Sequence, residues 1–304
     1  MFKGFTIAGL LALGLVLPAA AEAHRGWLLP SATQVEGKAP WITVDAATSE
    51  GLFDFDSFPL KFDTLTLTGP DGTVTPLTLP TPGHLRSTFD VQLATPGTYR
   101  ITASSLSVMG SYTQDGQAKR FRGTEADLAA LPAGITDLKV SRMSGRFETF
   151  VTAGKGNDAA LQPTGKGLEL VPVTHPSDLV TGESATFKFL LDGKPLAGLS
   201  VSIIPGGARF RNGLKDVVAT TDANGQFTAD WSMAGTYLIT ASYPPRPKAP
   251  EGEGGKPSAD GGKGGEGKPH DGAPGQGAGP GGGGGMDMPP RRDSYSATFE
   301  VLPN

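Results

Sequence analysis

The chain has 304 residues, 26 Lys+Arg against 30 Asp+Glu for a net charge of −4, 44 Gly, 26 Pro and no cysteine. The lack of cysteine excludes a disulfide framework, a thiolate metal site, an iron–sulfur cluster and a cysteine nucleophile, so any metal falls to nitrogen, oxygen or thioether ligands. Scattered Lys and Arg in a weakly acidic chain leave no footprint for nucleic acid.

Residues 1–23 read as a secretory signal: Lys3, an apolar run from Ile7 to Leu17, then Pro18 and the small-residue site Ala21-Glu22-Ala23. The apolar run is shorter than the roughly 20 residues a membrane span needs. The expected product is therefore a periplasmic protein, not membrane-spanning after cleavage. Cleavage after Ala23 makes His24 the first mature residue. A free α-amine and an imidazole on one residue can close a chelate ring, and both are partly deprotonated near neutral pH.

Short strands with turn signals follow. Leu60–Thr68 alternates apolar and polar residues before the turn cluster Gly69-Pro70-Asp71-Gly72. Phe89-Asp-Val-Gln-Leu-Ala-Thr-Pro-Gly97-Thr-Tyr99-Arg-Ile101-Thr-Ala-Ser recurs as Phe227-Thr-Ala-Asp-Trp-Ser-Met-Ala-Gly235-Thr-Tyr237-Leu-Ile239-Thr-Ala-Ser, 138 residues on. A repeat at that distance predicts two copies of one domain, and the Gly-x-Tyr-x-Ile pattern matches the tyrosine corner of immunoglobulin-type sandwiches. Thr124–Leu131 reads as a short capped helix ending at Pro132, followed by a strand at Arg146–Val151. Further strands are expected at Ala185–Leu190, Leu199–Ile204, Val217–Thr221 and Ser294–Val301. The 49 residues 244–292 hold 17 Gly and 10 Pro, a composition that cannot build a core. The expected fold is all-β: two tandem immunoglobulin-like β-sandwich domains, 24–153 and 168–304, joined by a linker at 154–167. Each carries a long insertion between its last two strands, helical in the first and disordered over 244–292 in the second. Trp27, Trp41 and Trp231 are expected in the cores.

No HExxH, Walker loop or GxSxG is present. Asp45, Asp54 and Asp56 could line a cation site or form a solvated strand edge. His84, in the turn Thr81-Pro82-Gly83-His84, could join the amine and ring of His24 as a third nitrogen, the histidine-brace arrangement that suits Cu(II), or be an exposed turn residue. His175, followed by Pro176, reads as structural. His270 with Met286 and Met288 could scavenge soft metal weakly.

Ala23-His24-x-x-Trp27-Leu28-x-Pro30 after a signal, Leu65-x-Leu67-x-Gly69-Pro70-Asp71-Gly72, Gly97-Thr98-Tyr99, Phe147-Glu148-Thr149-Phe150-Val151-Thr152, Leu168-Glu169-Leu170-Val171-Pro172 and Gly193-Lys194-Pro195-Leu196 together resemble a periplasmic family. It is catalogued as a domain of unknown function, as the nickel-uptake substrate-specific region and as the periplasmic component of cobalt transport. The resemblance implies an exported β-sandwich that handles nickel, cobalt or a similar divalent ion beside a metal-uptake membrane transporter, with His24 as the ligand carried over. Asp56-Ser57-Phe58-Pro59-Leu60 lacks a histidine that members often have there, and the Gly/Pro-rich tract departs from the family pattern.

Three readings follow. The first is a binding or delivery protein for nickel, cobalt or copper, with His24 and His84 as metal residues, and not an enzyme. The second is a non-catalytic structural or adhesive envelope module with no metal role. The third is a copper oxidase working through a histidine brace.

Overall fold

The computed structural model describes residues 24–211, 213–245 and 289–304. Residues 1–23, where the sequence reading places a signal, and most of the Gly/Pro-rich tract, including His270, Met286 and Met288, lie outside the described residues.

The first half contains ten strands: β1 (Arg25–Pro30), β2 (Gln34–Val35), β3 (Trp41–Ser49), β4 (Phe58–Pro59), β5 (Thr64–Thr68), β6 (Val74–Pro76), β7 (Ser87–Gln92), β8 (Gly97–Gln114), β9 (Gln117–Gly123) and β10 (Thr136–Ala153). The second half contains eight: β11 (Leu168–Pro172), β12 (Ser184–Leu191), β13 (Lys194–Pro195), β14 (Ser200–Pro205), β15 (Val217–Thr220), β16 (Gln226–Asp230), β17 (Gly235–Tyr243) and β18 (Arg291–Val301). The all-β sandwich expectation holds, and the helix α1 (Glu125–Ala129) lies between β8 and β10. Thr124 caps α1 through a reciprocal box with Asp127, where the Thr124 hydroxyl accepts from the Asp127 N–H and the Asp127 carboxylate accepts from the Thr124 N–H.

The largest sheet has ten strands, and its main path β15-β14-β17-β18-β10-β8-β5-β6 reads as a palindrome across its centre. There β10 and β18 pair in parallel, Arg142 opposite Arg291 through Thr149 opposite Thr298. A small sheet, β1-β3-β4 with β7 on β3, covers one half of the large one; its counterpart β11-β12-β13, with β16 on β12, covers the other. Parallel pairing of equivalent strands about an axis along the sheet turns the two halves over, so they are covered on opposite faces. Side-chain direction records this: Val151 and Ala153 of β10 enter the first core with Leu28, Val44 and Ile101, whereas Phe150 enters the second with Phe187, Ile239 and Phe299.

Both tyrosine corners form. The Tyr99 hydroxyl donates to the Thr95 carbonyl (2.7 Å) and the Tyr237 hydroxyl to the Met233 carbonyl (2.8 Å), and Gly97 and Gly235 share a φ of 136° and 138°. That backbone conformation excludes side chains, and a Cβ on Gly97 would also collide with the Pro70 ring. Tyr99→Phe and Tyr237→Phe should each lower stability by about 1 kcal/mol, read as a shift of the urea midpoint at constant slope. A Tyr237→Phe variant with an unchanged midpoint would show that the repeat conserves a shape and not a bond.

Two strands run well past the expected bounds. β8 and β10 are 18 residues each, and with β9 and α1 their outer portions extend the sheet beyond the sandwich. One tryptophan is misplaced by the sequence reading. Trp27 and Trp231 are buried, but Trp41 is 63% exposed. Strand alternation explains it: Ile42, Val44 and Ala46 point into the first core, so Trp41 falls on the outer face of β3, opposite Gln92.

A third apolar cluster joins the halves: Trp27, Ala47 and Leu52 pack with Ile204 and Leu238 of the second half. The Trp27 indole N–H is satisfied by the Ser49 hydroxyl at 2.8 Å, and Phe53 meets the indole edge-on at 5.4 Å.

Candidate functional site

His24 immediately precedes β1 and heads the groove where β1 lies over the uncovered face of the second half. Its side chain is 45% exposed, with Nε2 3.6 Å from Glu50 Oε1, and its ring stacks on Phe58 at 5.4 Å between centroids. Gly26 lets β1 approach the sheet, since a Cβ there would meet Leu60 and Phe147, each at 2.6 Å. The groove behind His24 is about 490 Å³ and floored by hydroxyls, among them Ser200, Ser202, Thr240 and Ser296.

His84 sits in the exposed loop between β6 and β7. The loop is closed by the Gly83 N–H donating to the Arg86 carbonyl (3.0 Å), and Arg86 pairs with Asp45 at 3.3 Å. Among the described residues, no group of three or more His, Cys, Asp or Glu is placed to hold a metal ion, so His24, Glu50 and His84 do not form a ready ligand set. Asp45 accepts from Thr88 as well as Arg86, and Asp54 pairs with Arg209. Asp56 accepts from the Gly51 and Glu50 N–H groups and from Ser57. Burial pulls the Asp56 carboxyl upward, but these donors hold it below its ordinary value.

His175 links the two halves. The Ser177 N–H donates to Nδ1 (3.2 Å), which places the ring proton on Nε2, within reach of the Thr98 hydroxyl at 3.0 Å and the Asn157 carbonyl at 3.3 Å. Both ring nitrogens are therefore engaged within the protein.

The most densely charged buried region was not found from sequence. Glu148 of β10, 1% exposed, accepts from Arg146 Nε at 2.8 Å, Thr102 at 2.9 Å and the Tyr295 hydroxyl at 2.5 Å. Arg100 Nε lies 3.7 Å away. Arg146 also donates to Glu169 at 2.9 Å, whose two oxygens accept the N–H groups of Thr164, Gly165 and Lys166. Burial pushes the Glu148 carboxyl up, but Arg146 and Arg100, with the Tyr295 hydrogen bond, hold it below its usual range. Burial and the adjacent carboxylate push the Tyr295 phenol well above its usual value, so it stays a donor.

The strand registers pair this cluster with its symmetry mate. Thr102 faces Glu148 as Thr240 faces Ser296, and Ser104 faces Arg146 as Ser242 faces Ser294. Arg100 matches Leu238 in the sequence repeat. On the small sheets Trp27 opposite Ala47 matches Glu169 opposite Leu190. One junction between the halves is thus apolar, Trp27 over Leu238, and its counterpart is ionic, Glu169 to Arg146, Glu148 and Arg100. His24 corresponds to Lys166. The signal in the sequence was the charge inside apolar strands: Glu148 in Phe147–Val151, Glu169 in Leu168–Val171, and Arg100 where the second copy has Leu.

An all-β protein of duplicated sandwich halves carrying a histidine-headed groove is the class that this fold and site define. The family model described as "Domain of unknown function (DUF4198)" matches residues 21–244, and the chain belongs to that family. No curated protein matches the chain. Among solved structures, an Escherichia coli alpha-2-macroglobulin activated by porcine elastase is 12% identical, with a TM-score of 0.20 over 73% of this chain and 30% of that one. A DUF4785 family protein from Legionella pneumophila is 8% identical, with a TM-score of 0.22 over 70% and 50%. The D0-D1 domain of intimin is 12% identical, with a TM-score of 0.20 over 70% and 88%. The chain spans less than a third of the macroglobulin's length, and overlaps this low carry no functional argument. Among the described residues no helix is long and apolar enough to cross a membrane.

Proposed function

We propose that this is a periplasmic binding or delivery protein for a divalent transition metal, nickel, cobalt or copper, that passes its cargo to a metal-uptake membrane transporter. The observation that carries the reading is the position of His24. It follows a small-residue cleavage site, is half-exposed at the head of a groove, and has the Glu50 carboxylate 3.6 Å from its ring. Cleavage after Ala23 supplies the α-amine, so one residue offers two nitrogens and Glu50 a carboxylate, a borderline-hard donor set suited to these ions. His84 is the candidate additional imidazole, reached by movement of its exposed loop. The protein binds and releases; it does not catalyse.

Calorimetric titration of metal-free protein beginning at His24 with Ni(II), Co(II), Cu(II) and Zn(II) tests the reading. One-to-one binding is expected, lost in His24→Ala and in a variant extended by one residue before His24, with metal-free thermal stability unchanged in both. His84→Ala weakens binding only if the loop closes on the metal. Equal weak binding by all variants would remove His24 from the function.

The second reading, an adhesive envelope module, draws on Phe210, Val217 and Val218, which are 79%, 59% and 60% exposed on and near β15, which among the described residues pairs only with β14. It is the reading left standing by a negative titration.

A further inference from the structure

The ionic junction borders a second groove that the metal reading does not use. It is about 610 Å³, within the size range of small-molecule sites, and lies on the uncovered face of the first half, with Lys166 at the position that His24 holds on the other groove. Its floor is a hydroxyl ladder in register: Thr64 opposite Ser104 and Thr66 opposite Thr102. The symmetry-related floor keeps hydroxyls too, with Ser202 opposite Thr240 and Ser200 and Ser242 lining the same groove. The difference lies in charge: Arg100 and Arg146 stand at the positions equivalent to Leu238 and Ser294, and Asp63, whose carboxylate accepts from the Leu106 N–H, also lines the first groove.

These charges are costly to bury, since desolvation competes with pairing. Arg100 is 4% exposed and its Nε, buried, has no hydrogen-bond partner among the described residues. Its Nη1 donates to the Gln162 carbonyl at 3.2 Å. Arg146 spends Nε and Nη1 on Glu148, Glu169, Thr164 and Lys166, while its Nη2 has no partner among the described residues. Arg100 Nε is closed to solvent and faces Glu148 at 3.7 Å, so what the groove offers a ligand is the Arg146 guanidinium, the Lys166 side chain and a row of hydroxyls.

We propose that this groove binds a small polyhydroxylated carboxylate, a sugar acid in size and chemistry. Its carboxylate meets Arg146 and Lys166, with Arg100 behind them, and its hydroxyls meet the Thr64, Thr66 and Ser104 ladder. Charged donors give the carboxylate strong hydrogen bonds, and the ladder distinguishes a polyol from a simple anion. The inference is independent of the metal reading, since it uses neither His24 nor its groove.

The test is calorimetric titration of the full chain with D-galacturonate, D-glucose and inorganic phosphate. Saturable binding of galacturonate is expected, with glucose and phosphate each weaker by about tenfold or more. Lys166→Ala and Thr66→Val change exposed or half-buried side chains outside the buried ion cluster and should each weaken galacturonate binding several-fold. Ser202→Ala, in the opposite groove, should leave it unchanged. No saturable binding, or binding that both first-groove variants leave intact, would overturn the proposal. Phosphate binding as tight as galacturonate and unaffected by Thr66→Val would overturn the polyol assignment.

Discussion

Glu148→Gln is expected to lower the stability of the whole chain by about 3–5 kcal/mol, the range for removing one partner of a buried charge pair. The substitution keeps size and shape but leaves Arg100 and Arg146 without the carboxylate they surround, and Tyr295 without its charged acceptor. Glu169 does not compensate, because its oxygens are committed to the 164–166 backbone as well as to Arg146. The same carboxylate sets a pH dependence. Its folded pKa lies below the ordinary 4.5, so the unfolded chain binds the proton first on acidification. The stabilisation is complete above pH 4.5 and is lost as pH falls through the lower, folded value. Urea midpoints measured from neutral pH to about pH 3 should therefore fall more steeply for the natural chain than for Glu148→Gln. Parallel pH profiles would mean that the Glu148 carboxyl titrates alike in the folded and unfolded chain, and a natural chain that falls less steeply than Glu148→Gln would mean that burial outweighs the arginines.

The sequence makes the duplication legible because a tyrosine corner requires a glycine, a tyrosine and an apolar residue at fixed spacing, whatever surrounds them. Both hydroxyl bonds form where the repeat places them. The parallel union of β10 with β18 was not legible, since it joins residues 149 positions apart whose pairing depends on how two finished halves meet. Trp41 was misread for a related reason: hydrophobicity alone suggests burial, but strand parity decides it, and Ile42, Val44 and Ala46 claim the inner face. The ionic cluster left a trace, Arg100 against Leu238 in the repeat. Recognising it needed the registers that bring Arg146, Glu148 and Glu169 to the same point. His24 and His84 were picked out by their chemistry, and neither strand pairing nor the core positions them relative to each other.

The apolar junction yields a comparable effect with a different signature. Trp27→Ala removes a fully buried indole from between the halves, where it packs with Ile204 and Leu238 and meets Phe53 and Phe55 at 5.4 and 5.7 Å. A large-to-small change of this kind costs about 3–5 kcal/mol, since the transfer term is lost and the cavity refills only in part. Because the halves share one hydrogen-bonded sheet through β10 and β18, the loss should reach the second core as well as the first. Trp231 reports on that core, being 2% exposed and packed edge-on against Tyr237 at 4.9 Å. In a Trp41→Phe background, in which Trp41 no longer contributes emission, Trp27→Ala should shift the unfolding midpoint read at Trp231 by the same amount as the midpoint from far-ultraviolet circular dichroism. A Trp231 midpoint that stays in place while the dichroism moves would show that the halves unfold separately and that the shared sheet does not couple them.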